Sequence, residues 1–137
     1  MTNLDLFRLY TGTTFALLYE AFPMRRRLDA AELVEHCKLT DNAISREKHL
    51  RLVEETWRWL VETGYLRHDI ETGYYDLTPQ SFGGLTFLDD AEAGVCRGDK
   101  LRQLTKTVGS ETAIETIAGI VSLILGAGAR SAYSMLA

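Results

Sequence analysis

Residues 57–85, WRWLVETGYLRHDIETGYYDLTPQSFGGL, constrain the fold more than any other stretch of the chain. Leu50, Val53, Trp57, Leu60 and Val61 recur at spacings of three and four, the period of a helix with one buried face. Gly64 is the expected stop, because glycine tolerates the left-handed conformation that a helix C-terminus often needs. Tyr65-Leu66 then starts a strand, which His68 to Ile70 continue. Glu71-Thr72-Gly73 turns it and Tyr74 to Leu77 return. Thr78-Pro79 leads into a short helix through Phe87-Leu88, with proline in the first turn, where it is tolerated.

Upstream, Leu6, Tyr10, Leu17 and Phe22 predict a first helix over about Leu4 to Phe22, capped by Asn3, with Asp5 in its first turn. Gly12-Thr13-Thr14 reads as a weak point in its middle, by about 1 kcal/mol for the glycine. Pro23 ends the helix, and Arg25-Arg26-Arg27 forms a basic connection. Asp29 caps a second helix, DAAELVEHC, with Glu32 three residues on as a capping-box-like partner. Leu33, Val34 and Cys37 face inward. A polar connection, Lys38 to Ser45, precedes the third helix, which is expected from near Ser45 to Gly64.

The run Val-Glu-Thr-Gly-Tyr-Leu, a hairpin, Tyr-Asp-Leu-Thr-Pro and then an apolar helix resembles the winged helix-turn-helix regulators of bacteria, over about Asp29 to Leu88. The resemblance implies a mostly α fold with a small β-wing (α+β) of two or three strands. Residues 1–90 would form the winged-helix domain and residues 91–137 a C-terminal helical extension. The long Lys38–Ser45 connection departs from the tight turn of a minimal helix-turn-helix. The implied function is non-catalytic, transcription-regulator-like binding of double-stranded DNA. The third helix would lie in the major groove, with Arg46, Lys48, His49 and Arg51 reading it. Arg25, Arg26 and Arg27 would anchor phosphates, and Arg67 would serve on the wing.

Charge points the other way. The 137 residues carry a net −4, and up to Asp90 there are 10 Lys and Arg against 15 Asp and Glu. Phosphate contacts dominate nucleic-acid affinity, yet the hairpin offers Asp69, Glu71 and Asp76 beside Arg67 and His68. The alternative is a winged-helix protein–protein interaction module, acidic and oligomeric, that binds no DNA. The two readings differ in where the charges fall. A basic face clear of Glu54, Glu55, Asp69 and Glu71 favours DNA, and acids ringing that face favour a protein partner.

The last helix, expected over about Glu111 to Leu125, is the oddest feature. Thr116 to Ala129 is 14 residues without a charge, short of the about 20 needed to span a bilayer. Ala118, Ser122 and Gly126 form a small-residue stripe beside an Ile117, Val121 and Ile124 seam. These residues are the candidates for a homodimer or larger oligomer interface. Packing within the chain is the competing reading, and membrane association, helped by Lys100, Arg102 and Lys106, is the least favoured. Trp57 follows the core spacing, whereas Trp59 cannot share its face and belongs at the core edge or an interface. Cys37 and Cys96 fit no zinc spacing and suit reduced thiols in a cytoplasmic protein. No signal peptide is read at the N-terminus. His36, His49 and His68 show no ligand spacing, and no catalytic motif stands out, so no enzyme activity, cofactor or metal is expected.

Overall fold

The computed structural model describes residues 1–39, 42–89, 94–106 and 110–136, with residue 44 and residues 127–136 described by backbone alone. Residues 40–41, part of the expected Lys38–Ser45 connection, lie outside the described residues, as do residues 90–93 and 107–109. The fold is mostly helical with a small antiparallel sheet, an α+β arrangement. In chain order the elements are α1 (Asn3–Ala21), β1 (Arg26–Arg27), α2 (Ala30–Cys37), α3 (Ala43–Glu62), β2 (Leu66–His68), β3 (Tyr74–Leu77), α4 (Pro79–Thr86), α5 (Arg97–Thr105) and α6 (Glu111–Leu136).

Local chemistry sets most of the boundaries. Thr2, not Asn3, caps α1, because the Thr2 hydroxyl and the Asp5 carboxylate satisfy each other's backbone amides. Asp29 caps α2 by accepting from the Ala31 amide. Asn42 caps α3, which therefore starts at Ala43, before Ser45. At the far end of α3 the Tyr65 amide donates to the Leu60 carbonyl and the Gly64 amide to that of Val61. That is a Schellman closure, and it needs the left-handed Gly64, at φ 86°. Thr78 and Ser81 form a reciprocal cap on α4, with Pro79 in its first turn. The Thr78 hydroxyl also donates to the Gly64 carbonyl at 2.6 Å, pinning the return of the hairpin to the end of α3.

The three strands lie in the order β1-β3-β2. The predicted hairpin is present, with Leu66 opposite Leu77 and His68 opposite Tyr75. The arginine run is not a plain connection: Arg26 and Arg27 pair with Tyr75 and Tyr74 as the third strand.

α1 is the central helix. Residues from Leu9 to Ala16 are buried on every side, among α2, α3, α5 and α6. The Thr13 and Thr14 hydroxyls donate to carbonyls one turn back, and Thr14 also accepts the Trp57 indole N–H at 2.9 Å. Those two buried hydroxyls are thereby satisfied, whereas the hydroxyl of Thr11, also buried, has no partner among the described residues. One core runs from Leu6 through Leu85 to Leu101, Ile117 and Ile124, so the expected division near residue 90 does not divide it. α6 extends well past the expected Leu125, and among the described residues no helix is long and apolar enough to cross a membrane.

Candidate interaction surfaces

The candidate DNA-reading residues of α3 separate into two groups. Arg46, Lys48 and Arg51 are exposed in its first turns and make no ion pair with a described residue. His49 is the correction: it is only 8% exposed, and its Nδ1 lies 2.6 Å from the Tyr10 hydroxyl. It sits four residues before Val53 on the buried stripe, so it faces α1 instead of a groove. Burial, with the Lys48 charge nearby, pushes its pKa below the ordinary histidine value. Glu47, Glu54, Glu55 and Glu62 are exposed on the same helix, interleaved with the cations.

The hairpin face neutralises itself. Arg67 grips Asp76 with Nε at 3.1 Å and Nη2 at 3.2 Å, and also donates to the Leu77 carbonyl. Arg25 reaches Asp69 at 3.6 Å and Asp76 at 3.9 Å. Arg27 donates to the Thr72 carbonyl at 3.1 Å and lies over the Tyr74 ring. Arg26 is half-buried in β1. Asp69 is held below the usual carboxylate range, first by the Thr72 hydroxyl and then by the Glu71 amide, with the Arg25 charge adding to them. Asp69 is thus ionised near neutral pH, and together Asp69 and Asp76 occupy Arg25 and Arg67, two of the arginines expected to meet phosphates.

The α6 seam is a second correction. Ile117, Val121 and Ile124 are fully buried within the chain's own core. α6 approaches α1 so closely that a Cβ on Gly12 would overlap the Ile117 side chain. The seam is thus covered within the same chain, Ile117 and Val121 by α1 and Ile124 by α4. Of the small-residue stripe, Ala118 is half-buried, and Ser122 and Gly126 face outward.

A trough of about 620 Å³ lies between the first turns of α1 and the C-terminal half of α3. Leu4, Phe7, Leu52 and Trp59 line it with Glu55, Arg58 and Glu62. The sequence reading missed this trough, although the out-of-phase Trp59 was its signal. Trp59 is 42% exposed, meets Phe7 edge-on at 5.3 Å and stacks over Tyr65 at 6.2 Å.

Both cysteines are buried and unpaired. Burial raises the Cys37 thiol to about 11, so little of it is thiolate near neutral pH. Among the described residues no group of three or more His, Cys, Asp or Glu side chains is placed to hold a metal ion. No protein-family model, curated protein or solved structure matches this chain.

Proposed function

We propose that the chain is a winged-helix module that binds protein in preference to duplex DNA. The order α1-β1-α2-α3-β2-β3 and the strand order β1-β3-β2 support the winged-helix reading, with β2 and β3 as the wing. The observation that carries the protein-binding reading is the pairing of Arg25 and Arg67 with Asp69 and Asp76. A DNA-binding wing needs its cations free for phosphate. Here the acids that occupy them would also face the phosphate backbone and repel it. On α3 the exposed glutamates supply the ring of acids that marks a protein-binding face.

The second reading keeps DNA as the ligand. It is favoured by Arg46, Lys48 and Arg51, which project from the first turns of α3 without an ion-pair partner among the described residues.

Fluorescence anisotropy with random-sequence duplex DNA at about 50 mM salt separates the two, since low salt is most generous to phosphate contacts. The protein-binding reading expects no saturable binding. Tight binding that weakens steeply with salt and is lost in R46A/R51A would overturn it.

A further inference from the structure

The trough between α1 and α3 has an apolar floor open to water. Leu4 is 54% exposed and Trp59 42%, and covering them would release apolar surface from solvent. Trp59 is not loose there. It rests against Phe7 and Tyr65, and the Tyr65 hydroxyl donates to the Leu125 carbonyl of α6 at 2.9 Å. An aromatic fixed in this way loses little freedom when a partner covers it, which is what makes a binding hot spot.

The wall of the trough is acidic. Glu55 and Glu62 share one guanidinium, that of Arg58, at 3.5 Å and 3.6 Å. Two carboxylates on one cation leave a surplus negative charge beside Trp59. All three side chains are about two-thirds exposed, so these pairs hold the acids only weakly. Past Leu52 a second groove follows α3, lined by Glu47, Lys48, Arg51 and Glu55, and its charges are mixed. The lining of the trough comes from two helices, with no strand edge for an extended peptide to join.

We propose that this trough docks an amphipathic helix of another protein, its apolar anchors on Leu4, Leu52 and Trp59 and its Lys or Arg residues over Glu55 and Glu62. Apolar groups at i, i+3 and i+7 of the incoming helix would match a floor laid along α3. The proposal rests on the protein-binding reading and gives that reading a site and a partner chemistry.

The test uses the full chain and two fluorescein-labelled peptides of about 15 residues, long enough for four helical turns. Both carry Leu and Trp anchors at helical spacing, one flanked by Lys and the other by Glu. The Lys peptide is expected to bind at least about tenfold more tightly, a difference of about 1.4 kcal/mol. The preference should invert in E55K/E62K. Binding should vanish in W59A and in L4E, the latter on an exposed first-turn side chain that the core does not need. Equal binding of the two peptides, or binding that survives W59A and L4E, overturns the proposal. If neither peptide binds and the protein instead self-associates through Trp59, the trough is an interface between copies: the proposal falls and the protein-binding reading stands. If neither binds and duplex DNA does, both fall.

Discussion

The phenol oxygen of Tyr10 lies 2.6 Å from Nδ1 of His49, with both side chains buried where α1 meets α3. Burial raises the pKa of Tyr10 and lowers that of His49, so the pair is held neutral. The sign of the linkage follows from the histidine. In the unfolded chain His49 takes a proton near its ordinary pKa of about 6.5, while the folded chain resists it. Its contribution is therefore complete above about pH 6.5 and is lost as pH falls through that value towards the lower folded pKa. Thermal denaturation of wild type and H49Q across that range checks this. Wild type should lose its advantage over H49Q progressively below about pH 6.5, and a constant gap would refute the assignment.

Gly12 sits where α1 and α6 touch, and a Cβ there would press on Ile117 and reach Val121 at 3.1 Å. Helix propensity alone says Gly12→Ala should stabilise by about 1 kcal/mol. The packing reverses that sign, because overpacking a tight core costs about 1–3 kcal/mol. Gly119 on α6 is the control: it is exposed, and a Cβ there meets nothing within 4 Å. G12A should therefore lower the urea midpoint and G119A raise it, each without changing the m-value.

That contrast shows where the sequence could be read and where it could not. The end of α3, the hairpin, the Asp29 cap and the Thr78-Pro79 start of α4 were legible because their causes lie within a few residues. Gly12 read as a flaw because its reason is Ile117, far along the chain. The Ile117, Val121 and Ile124 seam read as an interface for the same reason, since apolar spacing does not say which helix covers it. β1 is two residues long, too short for any period to show, and only its pairing with Tyr74 and Tyr75 makes it a strand. His49 was within reach: it lies four residues before Val53 on the buried stripe, and its polarity drew attention to the surface instead. Trp59 was marked as a core-edge or interface residue, but Leu4 and Phe7 became its neighbours only through the packing of α1 on α3.

The hairpin acids give a gain-of-function test. D69N/D76N removes the partners of Arg25 and Arg67 and leaves the wing with unpaired cations. If self-neutralisation is what keeps duplex DNA away, the double variant should acquire salt-sensitive DNA binding. Two freed phosphate contacts would steepen the log–log salt dependence by up to about 2. Anisotropy titrations across a salt series report this directly. Failure of the double variant to bind DNA even at low salt would mean that the α3 glutamates and not the wing exclude nucleic acid.

Lys38 ends α2 in the left-handed region, at φ 51°, with its amide donating to the Val34 and Glu35 carbonyls. A side chain in that conformation costs about 1–2 kcal/mol, and glycine at the same place does not bear it. Glycine also frees the unfolded chain, which offsets part of the gain. Lys38→Gly is therefore expected to stabilise by about 0.5–1 kcal/mol, while Lys38→Val, branched at Cβ, should destabilise by more than that. The side chain is exposed and makes no ion pair with a described residue, so loss of its charge should matter little. Urea denaturation of the two variants decides the matter. The backbone account predicts opposite signs for them, whereas an account based on the lysine charge predicts the same sign for both.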